Sequence, residues 1–349
     1  MKTLVSAPLM PVRVSGAGSE PGAGNARSDC RQPAARLDVR VSRADASTTN
    51  AIGRPPTVDL VLLGVAVAAI ATSAPLIAAT AVAPLAISFW RSLLGSAVTL
   101  PWAWFRHRSE MRSLSRYELR WTVTAGVLLA LHFAAWLPSL RFTTVASSTA
   151  LVSLQPVWAA LLARRQGAYV PRSAWIGIAI SLVGVLVLTG IDVSVSPRHL
   201  VGDLLALVGG MLSAAYVTAG ERVRRTVSTP TYTSLAYGVS AGVLLPLCLV
   251  FGQSLSGYSA SEWATILALT AGAQLLGHTL INRVLRTTSA TVTSLAILLE
   301  MPGATIIAAI WLGQVPPASI VPAVALIFAG LVLVIRAGDP RTPTESPPV

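Results

Sequence analysis

Long apolar runs separated by short polar segments dominate the chain, and their lengths set the elements. A helix that crosses a bilayer needs about 20 mostly apolar residues. Ten stretches qualify: 58–79, 83–105, 121–140, 143–163, 173–191, 201–220, 231–251, 262–281, 288–313 and 319–336. Arg, Gly or Pro punctuates most of their boundaries. Trp102, Trp104, Trp121, Tyr169, Trp175, Tyr258 and Trp263 fall near their ends, where amphipathic rings favour the membrane interface. The pattern predicts an all-α, polytopic membrane protein of ten transmembrane helices. Residues 1–56 and 337–349 show no apolar period and are expected to be disordered cytoplasmic tails.

The pattern repeats. TTVASSTALVSLQPVWAALLARRQGAYVP (143–171) matches TTSATVTSLAILLEMPGATIIAAIWLGQVPP (287–317). At an offset of 145, Thr143 falls on Thr288, Leu154 on Leu299, Gln155 on Glu300 and Pro171 on Pro316. His132 and Trp136, four apart, fall on His278 and Asn282 at an offset of 146. Two five-helix repeats, 57–191 and 192–336, follow. Five is odd, so the second copy enters the membrane upside down, as in secondary transporters whose solute sits between the halves. Gly202, Ala206, Gly210 and Ala214, and Gly126, Ala130 and Ala134, form small-residue stripes for close helix packing, with Gly64 matching Gly210.

Composition agrees. The chain of 349 residues is 53% hydrophobic and 11% charged, with mean hydropathy +0.66; a soluble domain carries about 25% charged residues. The net charge of +12 raises a nucleic-acid reading. The basic residues instead sit between apolar runs, and only Lys2 is a lysine. With the N-terminus in the cytoplasm, 23 of the 26 Lys and Arg fall in cytoplasmic segments. Arg141 and Arg198 fall outside, and Arg91 lies within a span. This asymmetry predicts that both termini are cytoplasmic, in the cytoplasmic membrane of a bacterium. Cys30 and Cys248 have no metal-type spacing and no prospect of pairing.

APLIAATAVAPLAISFWRSLLG (74–95), GDLLALVGGMLSAAYVTAGERVRR (202–225) and GHTLINRVLRTTSATVTSLAILLEMPGATIIAAIWLG (277–313) resemble the EamA-type proteins of the drug/metabolite transporter superfamily. The resemblance spans 58–336 and implies a ten-helix bundle with a central cavity for metabolites, such as amino acids, usually moved outward. Family members often carry a glutamate after the Leu-Gly that ends the fourth and ninth spans. Ala168 or Tyr169 and Gln314 stand there in this chain.

Ionisable groups within spans cost about 2.5–3.5 kcal/mol on insertion scales and tend to face cavities. Arg91, beside Trp90, is a guanidinium fork for a carboxylate or phosphate, or a structural anchor on helix carbonyls. Glu300 is the only carboxylate well inside a span and is the proton-coupling candidate; its counterpart is Gln155. His132 and His278, with Trp136 and Asn282 one turn along, and Tyr216 complete the expected solute-binding set. An HExxH motif and a P-loop are missing from the sequence, so neither a zinc enzyme nor an ATP-driven pump is expected, and no cofactor is called for. Asp192 and Asp203 lie at span ends rather than as a pair at depth, against an aspartyl protease. The expected activity is secondary transport of a small solute, outward and coupled to protons, by a monomer or homodimer in the lipid bilayer. The alternatives are a flippase for a lipid-linked or phosphate-bearing substrate, or a non-transporting receptor or structural protein.

Overall fold

The computed structural model describes residues 55–143, 148, 151–189, 197–313 and 318–337. The tails, with Cys30, and also Asp192 and Gln314, lie outside the described residues. The described chain is helical, with no β-strand. It runs α1 (Thr57–Ala71), α2 (Ser73–Ala78), α3 (Pro84–Ser113), α4 (Arg116–Phe142), α5 (Gln155–Arg165), α6 (Arg172–Thr189) and α7 (Pro197–Arg224). Then follow α8 (Thr229–Val250), α9 (Ala260–Leu269), a π-helical segment (Thr270–His278), α10 (Thr279–Val284), α11 (Ala290–Ile297), α12 (Glu300–Leu312) and α13 (Ile320–Ala337).

Seven helical stretches among the described residues are long and apolar enough to cross a membrane: Thr57–Ile77, Arg116–Phe142, Pro197–Arg224, Thr229–Val250, Ala260–Val284, Ala290–Trp311 and Ile320–Ala337. The protein is therefore a polytopic, all-helical membrane protein. α3 has the length, at 30 residues, but carries Arg91 in its apolar half. Large apolar side chains such as Val98, Leu204, Ile310 and Val321 are exposed on the outer faces, where lipid rather than water would solvate them.

Three predicted spans are interrupted: 58–79 turns at Thr72 between α1 and α2, and two others break and restart. The segment 143–163 turns at Ser153–Leu154 and restarts as α5 at Gln155; the segment 288–313 turns at Leu298–Leu299 and restarts as α12 at Glu300. Proline explains both. Pro156 and Pro302 lack an N–H, and in an unbroken helix their rings would clash with the carbonyls of Val152 and Leu298, four residues earlier. Both restarted helices also end at a left-handed glycine, Gly167 (φ 85°) after α5 and Gly313 (φ 65°) after α12, where a side chain would be strained.

Packing joins the first part of the chain to the second. α3 lies along α8, α4 along α7, α6 along α13, and α1 against the π segment and α10. Small residues permit these approaches. A Cβ added at Gly126 would lie 2.7 Å from the Ala236 carbonyl, one at Gly177 2.7 Å from the Gly330 carbonyl, and one at Gly210 2.8 Å from the Val152 carbonyl that Pro156 leaves free. Gly64 departs from the expected stripe, because it is exposed with open space beside it. The helix ends are tied by capping boxes at Ser115–Glu118 and Ser259–Glu262. A longer tie joins Glu110 of α3 to the start of α8: its carboxylate accepts from the Ser228 N–H (2.6 Å), the Ser228 hydroxyl (2.5 Å) and the Thr231 hydroxyl (2.8 Å).

Candidate functional site

Both helix restarts open onto one central cavity of about 90 Å³. α1–α2 supply Ile70, Ser73 and Ala74 to its wall; α3 supplies Arg91; α4 supplies His132, Phe133 and Trp136. α7 adds Ser213, Tyr216 and Val217, and the π segment adds His278. Ser153 and Gln155 come from the first break, and Leu298, Glu300 and Met301 from the second. A helix N-terminus presents unsatisfied N–H groups and a partial positive charge. A break at mid-span therefore brings polar backbone to a depth that continuous helices would leave apolar.

Arg91 is 1% exposed, and two neighbours fix its plane. Nε donates to Gln274 Oε1 at 2.9 Å, and the guanidinium carbon lies 4.6 Å from the centroid of the Phe133 ring. Gly95, one turn along α3, leaves the room for Gln274: a Cβ there would lie 3.0 Å from the glutamine Cγ. Arg91 Nη2 has no hydrogen-bond partner among the described residues, and neither has the Trp136 indole nitrogen. A buried donor without a partner is costly, so each is a free valence available to a bound acceptor.

The histidines differ. His132 Nδ1 lies 2.9 Å from the Gly209 carbonyl. A carbonyl can only accept, so Nδ1 carries the proton, and the ring stacks on Trp136 with centroids 5.9 Å apart and planes 6° apart. His278 stands edge-on to Phe133 at 5.7 Å, and its Nδ1 has no partner among the described residues. Asn282 is fully buried behind the wall. It accepts from the Tyr216 hydroxyl at 2.9 Å, and its amide lies 2.8 Å from the same oxygen. Gln155 donates to the Ser294 hydroxyl at 3.0 Å, which joins the first break to α11.

Arg91, His132, Trp136, Gln155, Tyr216, His278 and Glu300 thus line one cavity, and Asn282 supports it from behind. Trp90 does not line it. Successive residues on a helix point about 100° apart, so Trp90 turns away from Arg91, donates to the Leu255 carbonyl at 3.1 Å and packs edge-on to Trp263 at 4.9 Å. Sequence reasoning passed over Gln274 and Phe133, which hold the guanidinium, and Ser153 and Met301 beside the breaks. The signals available were Gln155-Pro156 and Glu300-Met301-Pro302, proline just past a polar residue in two matched apolar runs. Among the described residues no group of three or more His, Cys, Asp or Glu is placed to hold a metal ion.

Interrupted helices meeting at a polar cavity inside an apolar bundle place the protein among membrane proteins built as solute carriers are. The model of the EamA-like transporter family matches residues 57–190 and again 200–336, and the chain belongs to that family. It is similar to an uncharacterized transporter of Archaeoglobus fulgidus, 27% identical over 171 residues, which cover 48% of this chain and 58% of the relative. The matched stretch thus spans little more than half of that protein. The fold is also similar to that of a solved crystal structure, with a TM-score of 0.67 at 19% identity over 79% of this chain and 96% of the other.

Proposed function

We propose that the protein is a secondary transporter that carries a small metabolite across the cytoplasmic membrane through the central cavity. Ten crossings in two inverted halves, 57–191 and 192–336, with both termini in the cytoplasm, give the path. α3, the broken segment that ends in α5, and α6 add three crossings to the seven long apolar stretches. Family membership and the charge asymmetry of the loops support this topology. One observation carries the reading: two matched spans break at matching positions, and both breaks face the cavity that holds the buried, incompletely bonded Arg91. A buried guanidinium with a free N–H suits a carboxylate or phosphate on the solute. Glu300, at the second break, is the group that would exchange a proton with the moving solute. Export is the expected direction.

Comparing the metabolites of a deletion strain with those of an overexpressing strain tests the proposal. Accumulation of one small anionic or zwitterionic compound outside the overexpressing cells is expected. No change in any solute between the strains would overturn it, and a shift confined to lipid-linked intermediates would replace it with a flippase.

A further inference from the structure

We propose that two aspartate–threonine latches, Asp59 with Thr287 and Thr288, and Asp203 with Thr143, are the gates of the central cavity, one on each face of the bundle. The proposal rests on the transport reading above. Asp59 Oδ2, in the first turn of α1, accepts from the hydroxyls of Thr287 and, at 3.0 Å, of Thr288. Asp203 Oδ1, in the second turn of α7, accepts from the Thr143 hydroxyl at 2.7 Å. The two aspartates stand 144 positions apart and Thr143 and Thr288 stand 145 apart, so these are the same pair written twice. The pairing is exchanged. The carboxylate of the first half holds the threonines of the second, and the carboxylate of the second half holds the threonine of the first.

Each latch lies ahead of a break. Twelve residues after Thr143 the chain reaches Gln155, and twelve after Thr288 it reaches Glu300, the two helix starts that line the cavity. The latches also occupy opposite ends of one helix. α7 carries Asp203 near its start, and at Glu221 it accepts from the N–H of Ala290, two residues beyond Thr288. Asp203 and Glu221 are 18 residues apart on that helix, a rise of about 27 Å. Between them Ser213, Tyr216 and Val217 face the cavity.

The chemistry suits reversible closure. Asp59 is 4% exposed and Thr288 3%, so the first latch is shielded from water while closed; in the second, Thr143 is 8% exposed and Asp203 half-buried. A hydroxyl-to-carboxylate bond is charge-assisted and strong when dry. Water replaces the hydroxyl once the face opens, so the carboxylate is solvated rather than stranded. Gly202 sets the second latch: a Cβ there would lie 2.6 Å from the Thr143 nitrogen, so only glycine lets α7 approach closely enough.

The test needs no knowledge of the solute. In a full-length chain with Cys30→Ala and Cys248→Ala, Ser213→Cys reports access to the cavity. Membrane vesicles of both orientations are treated with a charged, membrane-impermeant maleimide. Asp59→Ala should speed labelling from the face that carries Asp59 by about tenfold or more, and Asp203→Ala by about tenfold from the opposite face, as expected when two charge-assisted bonds and one, respectively, are lost from a two-state balance. Thr143→Val, and Thr287→Val with Thr288→Val, keep the carboxylates and should reproduce the two shifts if the alanine variants fail to insert. Labelling from both faces that no variant alters, or that all variants alter on the same face, overturns the latches and leaves the transport reading standing. No labelling from either face in the parent and in every latch variant overturns the transport reading itself.

Discussion

Leu154 and Leu299 precede the two helix restarts with almost the same backbone, φ −70° and ψ −2° in one, φ −70° and ψ −10° in the other. Both restarts begin on a five-atom side chain, both carry proline within three residues, and both face the same cavity. The side chains then part. Gln155 is an amide whose N–H is taken up by Ser294, whereas Glu300 is a carboxylate at the cavity wall. Backbone shape was kept in both halves while charge was kept in one. A break is thus a scaffold demand that either residue meets, and whatever needs a carboxyl group at the cavity wall falls to the second break alone.

Glu300→Gln makes the second break chemically like the first and should have the largest effect. In proteoliposomes, solute flux driven by an imposed pH gradient should fall by a factor of ten or more, an order of magnitude typical of a lost proton-transferring group, while solute binding persists. Full gradient-driven flux in the variant would show that Glu300 serves only as a hydrogen-bonding partner, as Gln155 does. Arg91→Lys comes next. It keeps the charge but loses the planar fork that Gln274 and Phe133 hold in place. Transport should weaken about tenfold, the equivalent of one lost hydrogen bond to a charged group, with membrane insertion unchanged. Normal transport by Arg91→Lys, together with failure of Arg91→Gln to accumulate, would make the residue an anchor.

The smallest effect is expected far from the breaks. Burial raises the pKa of Glu110, but hydrogen bonds from Ser228 and Thr231, with His107 nearby, outweigh it and hold the carboxyl below its ordinary 4.5. A depressed carboxylate contributes stability above its unfolded pKa and loses it as pH falls through the folded value. Thermal stability in detergent should therefore decline below about pH 4.5, and Glu110→Gln should be less stable at neutral pH and lose part of that acid-side slope. An unchanged acid profile in Glu110→Gln would remove the tie between α3 and α8 from the account.

Much of this arrangement was legible in the sequence. Apolar run lengths placed the helices, and the match of His132 with His278 and of Gln155 with Glu300 brought out residues that line one cavity. The breaks were not read, because mean hydropathy is blind to a proline that leaves the run apolar while removing an N–H. Trp90 was grouped with Arg91 by adjacency, although neighbours on a helix face different ways. Gln274 was invisible for another reason: its value lies in reaching across from another helix to Arg91, and no local pattern records a contact between residues 183 positions apart.

The π segment from Thr270 to His278 carries a consequence for variation at this site. Wound with hydrogen bonds from i to i+5, it turns through about 80° per residue instead of about 100°. Over nine residues the difference accumulates to roughly half a turn. A substitution that let this stretch wind as an ordinary α-helix would change no side chain of the cavity. It would nevertheless swing His278 and Asn282 towards the opposite side of their helix, relative to α9. Inheritance at this wall therefore acts on winding as well as on residue identity, and a lineage could lose the site while keeping every letter that lines it.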